Sequence, residues 1–293
     1  MATSGERRQA RRQGQQEKKN YPWLWTLPLF AIGIVAVAVL GLTHKSGSAP
    51  SAPKGIGDAV PAAVLKAVTE VPQGTLNAVE PSGAVVPLAV PPTDKPTAKP
   101  VFLYMGAEYC PYCAAQRWPL IIALSRFGKF EGLKLSASSS TDAFPNTPTF
   151  TFAGSTYTSD YIELQAVETQ GRAVTNGSYP LLQTPDPGQQ ALFRKYDGPP
   201  YTQSAGSIPF MLIGQSYLWV GSSVPPGVLQ GKTWQDVASS LTNPSEEPAK
   251  TILTNVAMMT AGICRMDGGQ PGEVCNDAAV QAASKLLPAL RAS

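Results

Sequence analysis

The chain has 293 residues, 43% of them hydrophobic, enough to bury a sizeable core in one large or two small domains. Only 15% are charged, against roughly 25% on average, and 28 Pro with 26 Gly make the chain rich in turns. The net charge of +3 is no footprint for nucleic acid: Arg7, Arg8, Arg11, Arg12, Lys18 and Lys19 outnumber Glu6 and Glu17 by four, whereas from Lys45 onward 17 basic face 18 acidic residues.

Residues 1–20 read as a basic, Gln-rich cytoplasmic tail. Leu24 to Leu42 is an uncharged run of 19 residues, which matches a helix across a hydrocarbon core of about 30 Å. Tyr21, Trp23 and Trp25 mark one interface, so residues 21–43 are expected to form a single transmembrane helix. The basic flank keeps the N-terminus cytoplasmic and leaves everything after His44 outside the cell membrane. A cleaved signal peptide competes, since Ser-Gly-Ser-Ala-Pro follows the run; the run exceeds the roughly 7–15 apolar residues of such segments.

Residues 44–55 read as a linker, and 56–99 as a short helix over 56–72 followed by a proline-rich strap with one edge strand. The extracytoplasmic domain spans 100–293. Val101 to Met105 suits a buried strand, and Ala114 to Phe127 a helix kinked at Pro119. Strands are expected at Leu133–Ser136, Thr147–Phe152 and Tyr161–Thr169, with Asn176-Gly177-Ser178 as a turn. Gln189 to Tyr196 reads as a helix. Ile208–Ile213 and Ser216–Val220 read as a hairpin around Gly214-Gln215. Helices follow at Trp234–Leu241, Ala249–Met259 and Asp277–Leu290. The order predicts an α/β fold with a mixed sheet and flanking helices.

Cys110 and Cys113 stand in Cys-Pro-Tyr-Cys, directly after a strand and at the start of a helix. Unpaired N–H groups and the macrodipole at such an end favour a thiolate, so Cys110 is expected to be acidic, exposed and nucleophilic. Cys113, one turn on, is placed to resolve a mixed disulfide. Glu108, an acidic neighbour, works against the thiolate. Pro209 at the mouth of an apolar strand removes a ladder donor, which a cis Ile208-Pro209 bond explains. That bond sets the Ile208 backbone beside the Cys pair, open to an extended substrate. Tyr109 and Tyr112, with Tyr104 and Trp118, line either a substrate groove or the core.

Cys264 and Cys275 enclose ten residues rich in glycine, and in an oxidising compartment they read as a structural disulfide. An electron relay to Cys110 and Cys113, and a zinc site built from all four cysteines, compete with that reading; the ten-residue spacing argues against a zinc knuckle. His44 is the single histidine, which excludes a Ser-His-Asp triad or a Cys-His dyad in the domain after it. No metal ion and no cofactor is called for.

The strand, Cys-Pro-Tyr-Cys and helix, followed much later by Ser-Ile-Pro-Phe-Met-Leu-Ile, resemble the thioredoxin superfamily. Gly-Ala-Glu-Tyr-Cys-Pro-Tyr-Cys with the late Cys264/Cys275 pair is more similar to a family of membrane-anchored thioredoxin-like proteins of actinobacteria and archaea with a domain of unknown function. The resemblance implies Cys110 as nucleophile, Cys113 as resolver and Pro209 as the cis-proline. It implies a thiol–disulfide oxidoreductase acting on secreted or membrane proteins, together with a redox partner; the direction of the reaction is not legible. The alternative is a thioredoxin-fold binding or structural module of a membrane complex, and a weaker one is a soft-metal chaperone.

Overall fold

The computed structural model describes residues 50–92 and 99–292. The cytoplasmic tail, the membrane helix and most of the linker lie outside the described residues. Within them, no helix is long and apolar enough to cross a membrane.

Helix α1 (Ala62–Thr69) and a single turn, α2 (Gln73–Leu76), lead to a 3-10 turn at Pro81–Gly83 and a two-residue strand, β1 (Leu88–Ala89). The expected helix over 56–72 is therefore shorter, because Pro61 and Pro72 each stand just before a helical segment. Next come β2 (Val101–Gly106), α3 (Pro111–Ser125), β3 (Gly128–Glu131), β4 (Lys134–Ala137), β5 (Pro148–Thr151), β6 (Thr156–Ser159) and β7 (Glu163–Glu168). Helix α4 (Pro187–Tyr196), the hairpin β8 (Phe210–Ile213) and β9 (Tyr217–Val220), and α5 (Trp234–Ser240) follow. The chain ends on α6 (Glu247–Met266), α7 (Gly272–Cys275) and α8 (Ala278–Ser284).

The described strands form a five-stranded mixed sheet in the order β1-β9-β8-β2-β7. Only β2 and β7 run parallel, and α3 with strands β3 to β6 forms the crossover between them. Strand β3 pairs with β6 and β4 with β5, giving two separate two-stranded sheets. Strands β3 and β6 alternate between exposed and half-buried, and the sequence reading passed over both.

Side chains alternate across β2, so Phe102 and Tyr104 enter one core and Leu103 and Met105 the other. The first core is the larger. Trp118 of α3, Trp219 of β9 and the apolar side of α6 meet there, and Val64, Val68 and Leu76 close it from the N-terminal segment. The second lies under α4, where Tyr196 packs with Phe210, Leu212 and Leu218.

Three more helices differ from expectation, among them the last, expected over Asp277–Leu290, which is helical only over Ala278–Ser284. Helix α3 begins at Pro111 and runs through Pro119 without a break. Helix α6 continues past Met259 to Met266, and at Gly262 the Trp219 ring packs so close that a Cβ there would meet it at 2.9 Å. Asn176 and Gly177 form the expected turn with positive φ of 52° and 79°, as a two-residue hairpin loop requires.

Cys264 of α6 and Cys275 of α7 form a disulfide. Such a short closed loop contributes about 3 kcal/mol. Replacing both by alanine is expected to lower the urea unfolding free energy by about 2–3 kcal/mol while leaving the circular dichroism spectrum intact. An unmoved midpoint overturns the stabilising role.

Candidate functional site

Cys110 is the N-cap of α3 and Pro111 its first residue, where the missing N–H costs nothing. The Cys110 sulfur accepts the Cys113 backbone N–H at 3.3 Å, one of the otherwise unpaired donors of the helix end. Both cysteines are free thiols.

The lead-in to the motif is held from two sides. Glu108 donates its backbone N–H to Gln170 at 2.8 Å, and the Tyr109 carbonyl accepts from Ser139 at 2.8 Å. The Tyr109 ring stacks on Tyr179 with centroids 4.1 Å apart. Tyr112 is exposed, with its ring edge-on to Phe144. Tyr104 and Trp118 are core residues; the Trp118 indole donates to the Pro148 carbonyl at 2.8 Å. Of the four aromatics, only Tyr109 and Tyr112 stand at the surface beside the motif.

One expectation is corrected. Cys110 is only 6% exposed, and Cys113 is completely buried. Ala107, Tyr109 and Ile208 close over the pair. The apolar cover comes from the motif's own lead-in and from Ile208.

The Ile208-Pro209 bond is cis, as read from the sequence. Its flanks are pinned: the Asp197 carboxylate accepts the Gly206 and Ser207 backbone N–H groups, and Gly221 donates to the Pro209 carbonyl at 2.8 Å. Between these ties, the backbone N–H and C=O of Ile208 find no hydrogen-bond partner among the described residues. Ile208 itself packs against the cluster of Ala107, Cys110 and Cys113.

The two thiols are driven apart in acidity. The Cys113 side chain donates to Cys110; burial opposes the charge, but the Cys113 and Tyr112 backbone N–H groups and the Arg117 guanidinium favour it, so the Cys110 thiol lies below its ordinary value. Burial pushes the Cys113 thiol well up, and the Cys110 sulfur beside it adds to this. The expected penalty from Glu108 does not dominate; its charge instead faces Arg172.

The sequence reading missed what lies beneath. Arg117, four residues after Cys113, is fully buried and pairs with Glu168 at the end of β7, with Nε to Oε1 at 2.8 Å and Nη2 to Oε2 at 2.6 Å. A charge within the apolar side of α3 was the available signal. Tyr104 lies against the pair, with the Arg117 guanidinium carbon 5.9 Å from its ring centroid. Its buried hydroxyl has no hydrogen-bond partner among the described residues. Burial holds the phenol well above its usual value, hence neutral. A Cβ on Gly106 would collide with that hydroxyl, so the step from β2 into the motif needs glycine.

A family model described as Domain of unknown function (DUF929) matches residues 91–265, a span that holds Cys110, Cys113, Ile208 and Pro209. No curated protein and no solved structure matches the chain.

Proposed function

The chain belongs to the DUF929 family, and from that premise we propose that it is a membrane-anchored, extracytoplasmic thiol–disulfide oxidoreductase with a thioredoxin-like domain. The observation that supports the reading is a low-lying Cys110 thiol at a helix N-terminus, against which Ile208 of the cis Ile208-Pro209 bond packs, its backbone without a hydrogen-bond partner among the described residues. An extended substrate segment hydrogen-bonds to the Ile208 N–H and C=O, which brings a substrate disulfide to Cys110.

The Cys110 thiolate attacks one substrate sulfur. The Cys110–substrate bond forms, the substrate disulfide breaks, and the departing thiolate takes a proton from solvent. Cys110 is then neutral, which removes the hold of the Cys110 thiolate on the Cys113 proton and leaves burial. Cys113 loses that proton and attacks the Cys110 sulfur. The Cys110–Cys113 disulfide forms and the second substrate thiol leaves. The substrate gains two electrons and the pair gives them up; the reverse sequence oxidises a dithiol. Tyr109 and Tyr112 flank the entry, and the Cys264–Cys275 disulfide takes no part.

The test is a turnover assay with the full-length chain: reduction of insulin disulfides in one direction, oxidation of a dithiol peptide in the other. Turnover in either direction is expected, and its absence with the fold intact overturns the enzyme reading. The near-closure of Cys110 favours a second reading, a binding module without turnover, and the same assay separates the two.

The acidity of Cys110 sets a pH profile. Folding favours the thiolate, so the group stabilises the reduced protein above the ordinary thiol range, and this contribution is lost as pH falls through the lowered value. Alkylation of Cys110 by iodoacetamide, followed by mass spectrometry, is expected to reach half its plateau rate below the roughly 8.5 of a free cysteine. Half-titration at or above that value overturns the assignment of Cys110 as the nucleophile.

A further inference from the structure

Arg117 stands one helical turn behind Cys113 on α3, on the same side of the helix. Its Nη2 donates to the Ala107 carbonyl at 3.0 Å, and the same carbonyl accepts the Cys110 backbone N–H at 3.3 Å. One oxygen therefore ties the guanidinium to the reactive residue. On the other side Glu168 is fixed as firmly: its backbone N–H donates to the Gln183 side chain at 2.7 Å, and it stands opposite Gly106 in the β2–β7 ladder. Arg117 and Glu168 are both fully buried. A buried ion pair is weak support for stability, because apolar residues of similar volume often replace it without loss. Its position under the cysteines points to another role.

We propose that the buried Arg117–Glu168 pair is an electrostatic positioning device for Cys110: Arg117 holds the Ala107 carbonyl and presents positive charge to the thiolate, and Glu168 limits how much of that charge the sulfur feels. The inference rests on the reading that Cys110 is the reactive thiol. The other ionisable groups facing the cluster are Cys113 on α3, Tyr104 on β2 and Tyr109 in the loop between. Both phenols are held neutral by burial, Asp142 acts on Tyr109, and Glu108 acts on Arg172; Arg117 is the formal charge that favours the Cys110 thiolate.

The two partners then act with opposite sign. In the full-length reduced chain, Cys110 alkylation is followed against pH in Arg117→Met, Glu168→Gln and the double variant Arg117→Met/Glu168→Leu. Arg117→Met is expected to cut the thiolate fraction about tenfold at pH values below half-titration. Glu168→Gln keeps a hydrogen-bonding side chain but frees the guanidinium charge, so it is expected to raise that fraction. The double variant removes both charges and is expected to fall below the parent protein, because Arg117 acts on the sulfur more directly than Glu168. A merely structural pair would not move the profile in two directions. Equal profiles for Arg117→Met, the double variant and the parent overturn the proposal, as does a lowered thiolate fraction in Glu168→Gln. If a single variant does not fold, the double variant decides, since it buries no unpaired charge. Alkylation reads the thiolate and needs no substrate. Absent turnover with shifted profiles therefore counts against the enzyme reading alone, and unshifted profiles with turnover intact count against this device alone.

Discussion

Cys110→Ser is expected to abolish turnover, and Cys113→Ser is expected to arrest the protein on its substrates as mixed disulfides. The two outcomes differ because the two sulfurs have different surroundings. Cys110 has the accessible edge, the helix N-terminus and the lowered acidity, so no attack on a substrate starts without it. A hydroxyl in its place is not ionised at neutral pH and cannot form a disulfide. Cys113 is wholly buried and holds its proton, so in the proposed mechanism it acts only after the first bond has formed. With serine at 113 the first step proceeds and the second cannot. Non-reducing gels of membranes carrying Cys113→Ser are expected to show partner bands that vanish on reduction and are missing in the double variant with Cys110→Ser. Bands that persist in the double variant would assign them to other cysteines. Full turnover in Cys110→Ser would move the chemistry elsewhere.

Glu168→Ala is expected to cost about 3–5 kcal/mol of folding free energy, the price of leaving a buried charge uncompensated. Arg117 has no exposed surface, and one of its nitrogens, Nη1, already lacks a hydrogen-bond partner among the described residues. Burial opposes its charge, but Glu168, together with Tyr104 and Cys113, outweighs this and holds the guanidinium well above its usual value. Without that carboxylate the charge has only the Ala107 carbonyl. Replacing both partners with apolar residues removes the charge and its cost together, so Arg117→Met/Glu168→Leu is expected to be close to neutral. Urea unfolding of the three proteins checks this, and the difference between single and double variants is the informative quantity. A single variant as stable as the parent would show that water or a side-chain rearrangement reaches Arg117.

Local signals made much of the fold legible. The apolar run Val101–Met105, the hairpin around Gly214-Gln215 and the helices from Gln189 and Trp234 all appear within a residue or two of the expected bounds. Each depends on periodicity and turn residues within about a dozen positions. Strands β3 and β6 escaped because they are four residues long, half-exposed and without a strong apolar alternation. The end of α6 lay beyond the expected Met259, and at Gly262 the ring of Trp219, distant in sequence, packs on the helix.

The chemistry of the candidate site divides in the same way. A cysteine capping a helix, a proline behind it and a second cysteine one turn on are consecutive residues, so the sequence alone determined their relation; the Cys264–Cys275 pairing across ten residues was equally local. Solvent access to Cys110 was decided only by the tertiary structure, because Ile208 arrives from almost a hundred positions away to cover it. So was the charge beneath it, since Arg117 and Glu168 meet across 51 positions through the parallel pairing of β2 and β7. Capping and periodicity are written in neighbours along the chain. Burial and buried charge depend on residues that only loop closure brings together.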